Sequence, residues 1–328
     1  MSKVQKLHFI HHLDNENIGD WMASPLNYFS DYFVNRYSIV YHTLEYIKWN
    51  EISPDDAVIF GGGGLLENES LIQEWINRLL DSCGCVIGWG VGFHKRDEHV
   101  PVLPDIDYSR FSMITVRDYD HPAKLEYLPC VTCMLPQLSK KSDIKREIGV
   151  INHKSYELVE SGFPILDNTA GIYEMTDFIA ECETILTTSY HAAYWALLMG
   201  KKAVIAYAWA NKFKYFKCKP LILDEVSLET VSAAMSGEGG KAYPGWLDEC
   251  INLNLTFFER VKNNLENYII DTNTPETVVN QLKQQEWVML AMNRRVGSIV
   301  EQVNSLAGKI EERLEQLEQF VSAKEQSK

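Results

Sequence analysis

TTSYHAAYWALLMGKKAVIAY, residues 187 to 207, decides the fold. A β-branched run, Ile185 to Thr188, gives way to an apolar helix that stops at Gly200, and a second strand follows from Ala203 to Tyr207. Two strands joined by a helix of this length must pair in parallel, because an antiparallel return needs only a tight turn. His191 stands at the mouth of this βαβ unit, where ligands of open α/β sheets sit. A titratable ring there invites a chemical role.

Working outward, the same alternation fills the chain on both sides. KLHFIHHL reads as a strand and NIGDWMASPLNYFSDYFVNRY as a helix with an apolar face. SIVYHTL, DAVIFGGGGLL, CVIGWGVGF and SMITVRDYD are further strands, and SLIQEWINRLLDSCG is an amphipathic helix ending near Gly84. A polar stretch from Ser139 to Arg146 suits a linker. After it come a strand at Ile148–Asn152, a helix around Tyr173–Cys182, the βαβ unit quoted above, a strand and helix in KPLILDEVSLETVSAAMSG, and a long helix in LDECINLNLTFFERVKNNLENYI. The expected fold class is therefore α/β, with two Rossmann-like domains, 1–140 and 146–272, facing a cleft.

The remainder, 278–328, has another period. Counting sevens from Leu282, one seam holds Leu282, Met289, Val296, Val303, Ile310 and Leu317, and its companion holds Gln285, Met292, Ile299, Leu306, Arg313 and Phe320. Apolar residues hold ten of these twelve positions, which is the pattern of a coiled coil. Such a helix would reach ~60 Å at its ordinary rise. It is expected to join copies of the chain into a homo-oligomer, or to space the protein from a glycan-assembly partner; a single helix packed back on the body is the plainer alternative.

Charge and cysteine content narrow the function. The net charge of −14 argues against nucleic-acid binding, which needs cations against phosphates. No apolar run is long enough to span a bilayer, and the N-terminus is too polar for a secretory signal, so a cytoplasmic place, at the inner face of the membrane or free, is expected. Seven cysteines suit free thiols. Cys130 with Cys133, and Cys83 with Cys85, have metal-ligand spacing, yet their apolar settings and missing further ligands favour buried structural thiols and no metal.

Several short motifs sit at strand ends. Gly61, Gly62, Gly63 and Gly64 follow a buried strand without the Lys-Ser/Thr of a phosphate-gripping loop; they make a tight turn or admit a ligand to backbone N–H groups. Asp20 in NIGD is a helix cap on the plain reading. Arg117 in TVRD is either a surface ion pair or a fork for a carboxylate or phosphate. His94 stands just past GVGF, and Lys212 and Lys214 belong to the basic run NKFKYFKCK directly after the final strand of the βαβ unit, where an anion would find them.

NIGD, FGGGGLL, GWGVG, TVRD and TTSYHAAYWALLMGKKAVIAY, in this order over roughly residues 15–220, resemble the polysaccharide pyruvyltransferases. The resemblance implies a GT-B-type pair of domains and transfer of the enolpyruvyl group of phosphoenolpyruvate onto two hydroxyls of a sugar, as a ketal, in a bacterial O-antigen, capsule or exopolysaccharide. It implies His191 as the active-site histidine, with His94 a second acid/base candidate, and Arg117, Lys212, Lys214 and Ser189 as the donor site. Asp20 and the Gly61–Gly64 turn would shape the acceptor side. Phosphoenolpyruvate is a substrate here, so no cofactor and no metal is implied; the partner is a glycan acceptor, lipid-linked or free.

Two departures stand out. Ser189 occupies the place where the family commonly has an Arg that binds phosphoenolpyruvate, and the usual Asp-Pro step after VRD is missing, with Cys133 standing about there. Either Arg117, Lys212 and Lys214 hold the donor instead, or the donor differs. The alternatives are a GT-B glycosyltransferase using a nucleotide sugar, and a non-catalytic scaffold of a polysaccharide assembly complex. On the enzymatic reading, a histidine titrating near neutrality moves the protons of ketal formation.

Overall fold

The computed structural model describes residues 6–14, 16–44, 46–66, 70–94, 105–158 and 162–266. They belong to one compact unit, Met1–Thr272; a second unit, Asn273–Lys328, and with it the heptad repeat, lies outside the described residues.

Two all-parallel sheets organise the first unit. The first takes β1 (Leu7–His11), β2 (Ile39–Thr43), β3 (Ala57–Gly61), β4 (Cys85–Val91), β5 (Met113–Val116) and β6 (Glu126–Tyr127), in the order β2-β1-β3-β4-β5-β6. Its crossovers include α1 (Ile18–Trp21), α2 (Leu26–Val34) and α3 (Ser70–Ser82). The single helix expected over NIGDWMASPLNYFSDYFVNRY is two helices. The break falls at Ser24-Pro25, where proline can open a helix but cannot continue one. Strand β6 is too short to show a period in sequence.

The second sheet takes β7 (Arg146–Asn152), β8 (Ile165–Asp167), β9 (Cys182–Thr187), β10 (Lys202–Ala206) and β11 (Leu221–Leu223), in the order β11-β10-β9-β7-β8. Helix α4 (Ile172–Ala180) connects β8 to β9 and α5 (Tyr190–Leu198) connects β9 to β10, while α6 (Leu228–Ser236) follows β11. The quoted stretch is thus β9, α5 and β10 in parallel, with Ile205 paired to Thr187. All nine residues of α5 are buried, which explains why its sequence is apolar on every face.

Both faces of each sheet are covered. On the first sheet, Phe9 and Trp89 turn to the side of α2, and Ile10 and Phe60 to the side of α3. The last helix, α7 (Trp246–Glu266), joins the two halves. Its start, Trp246 and Cys250, packs in the core of the second sheet, and its end, Phe257, Val261 and Leu265, packs in the core of the first. At 21 residues it is about 30 Å long, enough to cross from one to the other. Midway, Asn254 is fully buried: Oδ1 accepts from Trp89 Nε1 (3.0 Å), while Nδ2 donates to Pro129 O (3.1 Å) and Cys250 O (3.2 Å). All seven cysteines are free and buried, as the apolar context of each pair suggested.

Candidate active site

The C-terminal edges of the two sheets converge on one buried polar cluster. From the first half, α1 brings Asp20 to His191 of α5, with Oδ1 3.8 Å from Nδ1. The approach depends on Gly19, because a Cβ there would overlap the imidazole. Neighbouring contacts fix α1 against the second half. Ile18 N donates to Asn168 O (3.0 Å), and Lys154 Nζ pairs with Asp14 (2.8 Å) and Glu16 (3.4 Å). Asn17 Nδ2 donates to Asp20 Oδ2 at 2.6 Å, so the carboxylate is aimed from behind.

The glycine turn after β3 supports this arrangement. Gly62 and Gly63 have φ of +81° and +80°, a region that L side chains avoid. The Cβ position of Gly63 lies 3.3 Å from Asp20 Oδ1, and that of Gly64 lies 2.9 Å from the Cβ of His94. Gly61 approaches the backbone of Trp89. The turn therefore sits under both Asp20 and His94.

Arg117, one residue past β5, is 3% exposed, with its guanidinium 4.1 Å over the Tyr190 ring. Gly92 lets it lie there, since a Cβ at that position would overlap Nε. Nε and Nη1 find no hydrogen-bond partner among the described residues. Asp118 and Asp20 lie close enough to act on its charge, while these two N–H groups keep open hydrogen-bonding capacity. Lys212 is also buried, its Nζ 4.4 Å from the centre of the Trp209 ring. Lys214 is exposed. Ser189 is buried beside His191, and its amide donates to Thr187 Oγ1 at 2.9 Å. His94 is half-buried and meets Trp209, ring centres 5.6 Å apart.

Electrostatics sort the roles. Burial alone would raise the Asp20 carboxyl, but His191, His12, Lys212 and Arg117 outweigh it and hold the pKa at about 2. Burial pushes His191 down to about 3; Asp20 opposes this, while Arg117, Lys212 and His153 add to it. The ring is thus neutral at pH 7 in the free protein. An unperturbed histidine would titrate near neutrality, but here desolvation dominates. Asp118, which accepts from Phe93 N at 2.8 Å, is raised by burial to about 6 despite Arg117. His153, against Trp209, is held at about 4 by burial and Lys212.

Sequence reasoning missed Asn17, Gly19, Gly92, Cys130 and His153. The thiol nearest the active-site ring is that of Cys130, with Sγ 3.7 Å from His191 Nε2; Cys133 Sγ instead accepts from Asn254 Nδ2. Gly19 and Gly92 lie inside motifs already singled out, NIGD and GWGVGF, and were the available signals. No group of three or more His, Cys, Asp or Glu side chains able to hold a metal occurs among the described residues.

The fold and the cluster define an α/β protein with a half-buried aspartate facing a buried histidine, and a buried cation beside them, at the strand ends. The family model of the polysaccharide pyruvyl transferases matches residues 6–211, and the chain belongs to that family. Among curated proteins, none matches it significantly. Among solved structures, a protein from Klebsiella pneumoniae subsp. pneumoniae, itself described as uncharacterized, is similar at 15% identity. That likeness covers 62% of this chain and 83% of the other, with a TM-score of 0.39. No helix among the described residues is long and apolar enough to cross a membrane.

Proposed function

We propose that this protein transfers the pyruvyl group of phosphoenolpyruvate onto two hydroxyls of a sugar in a bacterial cell-surface polysaccharide, forming a ketal, at the cytoplasmic face of the membrane. One observation carries the reading: Arg117, buried with open N–H donors, stands in the same cluster as the Asp20–His191 pair. Family membership supplies the reaction class.

In this reaction the methylene carbon of the donor gains a proton, C2 forms two C–O bonds to the sugar, and the C2–O bond to phosphate breaks. Two hydroxyl protons are released; one balances the new methyl group and the other leaves with phosphate. Arg117 and Lys212 bind the donor's carboxylate and phosphate and stabilise the leaving group. Asp20 and His191 relay the hydroxyl protons. The neutral ring can accept a proton. Donor anions nearby raise its basicity, reversing part of what Arg117 and Lys212 do in the free protein. Ser189, lacking the charge common at its place, shifts the donor's anionic contacts onto Arg117 and Lys212.

Ser189 also favours a second reading, transfer from a nucleotide sugar. Incubation with phosphoenolpyruvate and a panel of saccharides, followed by mass spectrometry and phosphate assay, separates the two. Ketal product with equimolar phosphate supports pyruvyl transfer. Glycosyl transfer from nucleotide sugars, with no ketal, replaces it.

A further inference from the structure

Behind His191 runs a chain of hydrogen bonds that pyruvyl transfer does not itself require. Trp195 Nε1 donates to Thr132 Oγ1 at 3.1 Å, and Thr132 Oγ1 donates to Cys130 Sγ at 3.4 Å. Cys130 Sγ lies 3.7 Å from His191 Nε2, and His191 Nδ1 faces Asp20 Oδ1 at 3.8 Å. Trp195, Thr132, Cys130 and His191 are each at most 4% exposed, so water does not compete for these groups.

The two ends of this chain fix its direction. An indole N–H can only donate, so the Thr132 oxygen accepts there, and the geometry of the next contact makes its O–H the donor to Cys130 Sγ. The sulfur then accepts from Thr132 and has its own S–H for Nε2. At the far end, 3.8 Å away, the ionised carboxylate of Asp20 acts through its charge, which favours a proton on Nδ1 over a lone pair there. Donor and acceptor inventories from opposite ends agree. The reverse arrangement would set a bare Nδ1 against a carboxylate and turn the Thr132 and Cys130 hydrogens back along the chain, against the donor geometry at Thr132.

We infer that Cys130, Thr132 and Trp195 are positioning residues that lock His191 in the Nδ1–H tautomer, with its single ring proton directed at Asp20. A consequence follows for the reaction. The Asp20 side chain is 22% exposed and that of His191 5%, so Asp20 meets the acceptor hydroxyl and His191 acts from behind it. The tautomer of a buried histidine decides which of its nitrogens can accept a proton, and enzymes that hold the wrong one lose most of their rate. The reading rests on the proposed function only for its turnover measurement.

Long-range proton–nitrogen correlation spectra of full-length protein carrying ¹⁵N-histidine, at pH 7, test it without substrate, His191 being assigned by its loss in His191→Gln. Wild type and Cys130→Ser should show a protonated Nδ1 and a bare Nε2. Cys130→Ala and Thr132→Val should show a mixture of tautomers. With phosphoenolpyruvate and a saccharide, Cys130→Ala should lower kcat by about tenfold or more with KM for the donor unchanged, and Cys130→Ser should restore it. A wild-type ring protonated at Nε2 overturns the inference, as does a pure Nδ1–H tautomer persisting in both Cys130→Ala and Thr132→Val. Should no pyruvyl transfer be found in wild type, the functional reading fails while the tautomer result still decides this one.

Discussion

Among the described residues, two histidine–aspartate contacts differ in how completely they are satisfied. In the first sheet, Lys48 N donates to His42 Nδ1 (3.2 Å), His42 Nε2 meets His8 Nδ1 (2.8 Å), and His8 Nε2 meets Asp56 Oδ2 (3.1 Å). Asp56 accepts further from Ser53 N (2.8 Å) and Lys6 N (3.0 Å). Every ring nitrogen there has a short contact. At the strand ends of the two halves, Asp20, His191 and Cys130 meet at 3.8 Å and 3.7 Å, next to a guanidinium with open donors. The first chain holds strands in place. The second is looser, and this openness is what the proposed donor site would use.

The sharpest way to break this contrast is to remove one histidine or acid from each chain. His191→Ala is expected to lower pyruvyl transfer about 10³-fold, within the range of general acid/base catalysis, with little change in Tm. Asp56→Ala is expected to do the reverse. It strands His8 and two backbone donors, costing about 3 kcal/mol in urea unfolding, with kcat of the folded protein unchanged. Equal effects of the two changes on turnover would erase the distinction.

Arg117→Met should separate stability from activity in a third way. Donor KM is expected to rise about 100-fold, while unfolding free energy falls by only about 1–3 kcal/mol, because Asp118 and Asp20 lose the cation beside them. An unchanged donor KM in this variant would mean that the guanidinium serves the fold alone.

The smallest effect concerns acid. Burial holds folded-state pKa values at about 3 for His42 and His191 and about 4 for His121 and His153, each below the ordinary 6.5. The unfolded chain therefore binds protons first as pH falls below 6.5. The stability these rings contribute is complete above that pH and declines toward pH 4. Asp118, raised to about 6, works in the opposite direction between pH 6 and 4 but is a single group. Urea titrations at pH 7, 6 and 5 should show the decline, with a shallower slope in His191→Ala.

Much of the fold was legible because local pattern and global topology agree. The apolar run of α5 between two β-branched segments could only be a buried crossover, and the four glycines could only be a turn. The cluster was legible in part. Asp20, His191, Arg117 and Lys212 stand in short motifs at strand ends, which is where a parallel sheet exposes its loops. Lys214 shares the same basic run, yet it points outward, because neighbours in a turn face different ways. Cys130 lay in a motif read as structural, and its contact with His191 spans 61 residues with no local pattern to announce it. The depressed titration of His191 was likewise hidden, since desolvation is a property of the packed interior and not of the histidine.

The central claim is that Arg117 and its neighbours bind the anionic donor between the two halves. Calorimetric titration of full-length wild type and Arg117→Met with phosphoenolpyruvate at pH 7 tests it most directly. Binding to wild type with proton uptake, as the approaching anion raises the basicity of His191, and affinity about 100-fold weaker in Arg117→Met are expected. No binding to wild type, or the same affinity in both proteins, would contradict it.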